Sequence, residues 1–353
     1  MAQINKPGLH FNTVLYTGNG STQSITGVGF QPDWVWVKER TSTSSHQLVD
    51  AVRGYNKRLF SNSNSAQATD SSPYNDFKSF DTDGFSIGNG GAVNENSQTY
   101  ASWNWKANGA GSANTDGSIN STVSVNTTAG FSIVQYTGTG SNATVGHGLG
   151  VAPACVIIKC TNDAQNWRVY HRGMDATAPE DFALILNNTT TRDNDNTAFN
   201  DTAPTSTTFS IGTSATINQN GNIMIAYCFA EKKGFSKFGS YTGNGSNRTI
   251  SHSLSAKPAM ILVKQRSASR DWWVYNKHLH GTDGATGVLY LSTNDAAGTS
   301  ATTSWNSTAP TTSVFSLGTT VGVNADSGTY IAYCFAEKQG YSKFGTYTGN
   351  GSA

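Results

Sequence analysis

Residues 15–38 read LYTGNGSTQSITGVGFQPDWVWVK, a tyrosine and glycine phrase followed by a proline and an apolar run that ends in lysine. The phrase starts as YTGNGS at Tyr16, returns as YTGTGS at Tyr136, and recurs as YTGNGS at Tyr241 and Tyr347, at intervals of 120, 105 and 106 residues. Behind the first three stand Pro32, Pro153 and Pro258, then DWVWVK to Lys38, ACVIIK to Lys159 and AMILVK to Lys264. Each copy goes on to FSIG or FSLG, at Phe85, Phe209 and Phe315, and ends in YASWNWK or IAYCFAEK. Self-similarity at a period this long exceeds any solenoid repeat and matches a small domain of about 105 residues repeated in tandem.

The runs within a copy are short, rich in Val, Ile, Thr, Tyr, Phe and Trp, and broken by Gly, Asn and Pro. That is the pattern of all-β sandwiches and barrels. In WVWVK, strand alternation puts Trp34 and Trp36 on one side and Val35 and Val37 on the other, both apolar. A strand apolar on both faces is a central one covered on each side, which predicts two packed sheets. The expected fold is all-β, three tandem jelly-roll-like β-sandwich repeats, at residues 1–108, 130–233 and 234–340. Between the first two, residues 109–129 of KANGAGSANTDGSINSTVSVNTTAG read as a flexible Gly, Ser, Asn and Thr linker, so the first domain is expected to move against the others. Only Lys233 and Gly234 join the second to the third, which predicts a stiffer pair. Residues 341–353 begin a fourth copy, and residues 341–348 are expected to fold back as a hairpin on residues 330–337, closing the third domain rather than leaving an open edge.

Charged residues make up 13% of the 353, with 23 Lys and Arg against 22 Asp and Glu and a net charge of +1. Charge-driven disorder is excluded, and no basic excess draws the chain to nucleic acid or an anionic membrane. The 16 Phe, 14 Tyr and 8 Trp supply the apolar area for small cores. The N-terminal MAQINKPGLHFNT has no apolar run of signal-peptide length, and no later run reaches a membrane span, so a soluble protein is expected. Cys228 and Cys334 hold the same place in two copies, and Cys155 and Cys160 point to opposite faces of one strand, so all four read as buried thiols rather than disulfides.

The candidate ligand-binding residues are aromatic. Trp167, Tyr170 and His171 of QNWRVYHR align with Trp272, Trp273 and Tyr275 of RDWWVYNK, while copy one has STSSHQLVD there, with His46 and Asp50. Flat rings beside Arg, Asn and Asp can stack on sugar rings, and the same alternation equally describes core packing. The DTDG at Asp81 to Gly84 lacks the further oxygens and closing glutamate of a calcium loop and reads as a turn. No GxSxG or HExxH motif is present, and no acid recurs in all copies, so neither a catalytic residue nor a metal or cofactor is expected.

The phrases LYTGNGSTQSITGVGFQPDWVWVKER, TTAGFSIVQYTGTGSNATVGHGLGVAPACVIIK and YIAYCFAEKQGYSKFGTYTGNGS resemble a repeated domain of marine bacteriophage virion proteins, often labelled tail fibre proteins. The resemblance covers nearly the whole chain and carries no catalytic or metal motif. It implies a virion protein assembled in the bacterial cytoplasm: a non-enzymatic tail fibre or adhesin that contacts host surface glycans. The alternatives are a purely structural virion element, such as a capsid decoration or fibre shaft without a ligand, and an appended polysaccharide depolymerase. The partners it implies are other virion proteins, a host glycan and further copies of the chain, as a trimer if it is a fibre.

Overall fold

The computed structural model describes residues 7–70, 76–232, 234–280, 284–299 and 302–336. The chain is all-β; among the described residues helix is confined to single turns and the strands form six sheets. The three larger ones share one strand order. In copy one Phe11–Thr17, Thr99–Trp105, Trp34–Glu39, Gln47–Asp50 and Gly54–Leu59 lie side by side. Copy two sets Phe131–Thr137, Ile223–Phe229, Cys155–Cys160, Arg168–His171 and Phe182–Ile185 in the same sequence, and copy three Ser236–Thr242, Thr329–Ala336, Pro258–Gln265, Trp272–Asn276 and Leu289–Tyr290. The first four of each series are called below the opening, closing, proline and aromatic strands. Each copy also builds a smaller sheet, in which Gln23–Thr26 pairs with Gly84–Ile87, Ala143–Gly146 with Thr208–Ile211, and Arg248–Ser251 with Val314–Leu317.

Alternation along the proline strands decides the packing. Val35 and Val37, Val156 and Ile158, and Ile261 and Val263 each face a cluster within their own copy, against Phe85, Phe209 or Phe315 of the smaller sheet. The other face, carrying Trp34 and Trp36, Cys155 and Ile157, and Met260 and Leu262, enters one cluster common to all three copies. Trp34 lies 4.2 Å from Tyr227 and 5.6 Å from Phe131, both of copy two. Phe229 meets Phe238 of copy three at 6.5 Å, and Phe11 meets Phe335 at 6.4 Å, so every pair of copies touches. The void left among these rings is only about 40 Å³.

The repeated YTGNGS phrase is a latch. The Tyr16, Tyr136 and Tyr241 hydroxyls donate to the carbonyls of Val93, Ile217 and Val323, each inside a one-turn helix, at 2.8, 2.7 and 2.7 Å. The next turn of the phrase donates its N–H, from Asn19, Thr139 or Asn244, to the buried side-chain oxygen of Asn94, Asn218 or Asn324. The glycine between them is required by space: a Cβ at Gly18, Gly138 or Gly243 would lie 2.2, 2.3 or 2.2 Å from a backbone carbonyl oxygen. The asparagines buried at these helix ends are thus bonded through both oxygen and amide, as burial demands.

Two expectations change. Residues 109–129 are not a flexible linker: Ser112–Asn114 and Ser121–Asn126 are strands, and the second pairs with the free edge of the opening strand, Val123 opposite Val134. Val123 is buried, Asp33 accepts the N–H of Ala107 and Gly109, and Ser118 and Thr144 exchange backbone-to-hydroxyl bonds of 2.9 Å. The common core likewise replaces the expected mobility of copy one by a large apolar contact. The hairpin expected of residues 341–348 lies outside the described residues, and both edges of its intended partner, Thr329–Ala336, are already held by the opening and proline strands of copy three.

Because one face of each larger sheet is covered only by the other copies, the chain is expected to melt in one cooperative transition, with equal calorimetric and van't Hoff enthalpies. A fragment of residues 130–232 alone, exposing Phe131, Cys155 and Phe229, is expected to be unfolded or aggregated. Three resolved calorimetric transitions would refute this.

Candidate functional site

The start of the aromatic strand is held in register in all three copies. Its pairing with the proline strand sets Gln47 opposite Val37, Arg168 opposite Ile158 and Trp273 opposite Val263, so the residues just before them, His46, Trp167 and Trp272, are equivalent. None of the three reaches the surface: their exposures are 1%, 0% and 2%. Trp167 donates its indole N–H to the carbonyl of Phe60 in copy one at 2.8 Å, and Trp272 donates to Ile185 in copy two at 3.2 Å. His46 accepts from the Trp36 indole at 2.8 Å, and its other nitrogen lies beside the backbone of Tyr290 and Thr293 in copy three, short of good hydrogen-bond geometry. The relation is cyclic, from two to one, three to two and one to three.

The other aromatic candidates are also packed inside or against the fold. Tyr170 meets Phe199 at 5.7 Å and Tyr275 meets Trp305 at 5.7 Å, in the clusters under the smaller sheets. His171 lies on Tyr333 of copy three at 4.6 Å. Trp273, half-buried, stands edge-on to Tyr290 at 4.9 Å. Five of these six residues are therefore buried, in several separate clusters, and Trp273 alone is half-buried.

Polar groups line the same seams. Asp50 of copy one receives the Arg53 Nε–H at 2.6 Å and the Tyr227 hydroxyl of copy two at 2.7 Å, all three buried. The lysines ending the apolar runs are buried too. Lys159 donates to the carbonyl of Cys160, and Lys264 donates to Thr189 and Thr190 of copy two and to Arg270, at 3.1, 2.9 and 2.7 Å. Desolvation draws both ammonium groups down to about 8. Burial, assisted by Arg172 and Arg266, pulls His171 to about 3, and burial with the nearby Lys38 does the same to His46. Among the described residues no group of three His, Cys, Asp or Glu is placed to hold a metal, and the four cysteines are buried thiols. Sequence reasoning missed Arg53, Tyr227 and the carbonyl acceptors at Phe60 and Ile185; no side-chain pattern announces a backbone acceptor, but the Trp and His at matched positions mark where one is needed.

A family model matches residues 6–248 and again residues 240–353. The chain belongs to the family described as Domain of unknown function (DUF7483). The second match begins around the YTGNGS phrase near which the first ends, and the first spans copies one and two together. A comparison with curated proteins found no match.

Two outcomes follow from the seams. Trp167→Ala and Trp272→Ala are each expected to cost about 3–5 kcal/mol in denaturant unfolding, as for a buried indole, and a surface platform would show almost no loss. The histidines titrate near 6.5 when unfolded and near 3 in the fold. The unfolded chain then takes up protons first as pH falls below 6.5, so their contribution is complete above that pH and declines towards 3. The melting temperature is expected to fall between pH 6.5 and 5.5, and less steeply in His171→Asn, which keeps an acceptor for the Gly173 N–H.

Proposed function

We propose that this chain is a non-enzymatic structural element of a bacteriophage particle, built of three β-sandwich repeats of about 105 residues closed on one another. The observation that carries this reading is the cyclic seam: Trp167 bonds to Phe60, Trp272 bonds to Ile185, and His46 occupies the third position. Aromatic residues that a glycan adhesin would present are used instead to lock copy to copy. The resemblance in sequence to virion repeat proteins supplies the particle, and the low charge and the shared core fit a part that bears load without turnover. Three copies in one chain make among themselves the contacts a homotrimer makes between protomers, which supports a single chain as the building block and other virion proteins as its neighbours.

Antibody labelling of purified particles in the electron microscope is expected to place the chain at regular positions, with no signal for the isolated protein on a glycan array. Its absence from particles would overturn the virion reading. A glycan signal would restore the adhesin, and release of oligosaccharides from host polysaccharide would restore the depolymerase.

A further inference from the structure

The three copies treat the outer edge of the opening strand differently. In copy two, Phe131–Thr137 is paired on both sides, with the closing strand on one and Ser121–Asn126 on the other. That added strand brings Val123 into the cluster under the smaller sheet, with Val125 and Ile119 packed against it. In copy one the side-chain amide of Asn12 crosses the gap to the smaller sheet, donating to Gly27 and Val28 carbonyls at 3.1 and 2.9 Å. Among the described residues copy three has neither device, and its edge is bridged only at its start, where the Ser236 N–H donates to the Lys232 carbonyl at 3.0 Å. Lys237, at the Asn12 position, pairs instead with Glu231 at 3.0 Å, and a groove of about 90 Å³ runs between the opening strand and the smaller sheet.

The groove is the copy-two site without its strand. Its lining residues Gly239, Tyr241, Ile250 and Phe315 stand where copy two has Val134, Tyr136, Val145 and Phe209. Gly239 replaces a buried valine, and a Cβ built on it meets nothing within 4 Å. The Gly243 N–H and the Phe235 carbonyl bond inward to copy three's own backbone, so alternation turns the N–H and C=O of Phe238 and Ser240 to the open side. Glu231 takes the Phe238 N–H at 3.0 Å, while Ser240 has no partner there among the described residues.

We propose that this edge receives an extended strand from another polypeptide, one with β-branched apolar residues at two alternate positions, laid beside Gly239–Thr242 as Ser121–Asn126 is laid beside Phe131–Thr137. Main-chain bonds at Ser240 supply register, and an aliphatic side chain over Gly239 fills the groove, the usual division of labour in strand addition. The inference holds whether or not the chain is part of a particle.

The test uses the full chain and a labelled synthetic peptide of residues 112–126, with a control peptide in which Val123 and Val125 are aspartate. Saturable binding of the first peptide, absent for the control and roughly tenfold or more weaker in Gly239→Phe, is the expected result. Phe at 239 fills open space, so its melting temperature is expected to hold; Ser240→Pro, which removes an edge donor only, is the second variant. Equal binding to wild type and both variants, or none, overturns the proposal. Self-association that Gly239→Phe abolishes would assign the edge to a second copy, and binding gained only after deletion of residues 337–353 would assign it to the chain's own end; either overturns the donor named here.

Discussion

Everything in this molecule depends on burying the inner faces of three sheets against one another. A β-sheet apolar on both faces needs cover on both, and the smaller sheet of each copy covers only one. The other faces converge, so the apolar transfer energy of some of the largest side chains, Trp34, Trp103 and Trp272 among them, is gained only when all three copies are in place. This also explains why equivalent positions differ so much in size. Trp34, Cys155 and Met260 occupy one structural position, and because they share a core only their combined volume is constrained.

The shared core has a polar cost that the seams offset unevenly. The indole nitrogens of Trp167 and Trp272 are bonded across the seams, whereas those of Trp34, Trp103 and Trp105 have no partner among the described residues. Asp50, Arg53 and Tyr227 form a buried network at the boundary of copies one and two, where removing Asp50 or Arg53 would strand a charge. At the equivalent place between copies two and three, His171 meets Tyr333 by ring contact instead. The two seams thus differ on the aromatic-strand side alone, Asp50 against His171, while the partner across the seam is a tyrosine in both.

Much of the fold was legible. The repeat, the all-β character and the two-faced proline strands follow from spacing and alternation, as do the cysteines at opposite faces, Cys155 in the common core and Cys160 under the smaller sheet. What alternation cannot say is which element covers a face. Trp167 and Trp272 are legible as an apolar stripe and illegible as a seam, because their acceptors are carbonyls of another copy more than 80 residues away. Residues 109–129 misled for a different reason. Gly, Ser and Asn dominate their composition, but Val123 and Val125 alternate with polar residues as a half-buried strand does, and Gly117 is there because Thr144 approaches within 2.3 Å of where its Cβ would be.

An open strand edge is a liability in any repeat array, and tandem duplication multiplies it, since each new copy arrives with the same opening strand. The chain resolves the problem locally rather than by rule: an asparagine clamp in copy one, an inserted strand in copy two, and in copy three a glutamate that occupies one edge N–H and a lysine that neutralises it. Only the second of these restores a continuous sheet. The third leaves an apolar groove beside the edge and removes the one side chain, at Gly239, that would have filled it from within. A copy selected merely to stay unpaired gains nothing from that removal, because losing a buried valine weakens its own core. Groove, glycine and half-capped edge are together what the proposed added strand would fill, cover and pair.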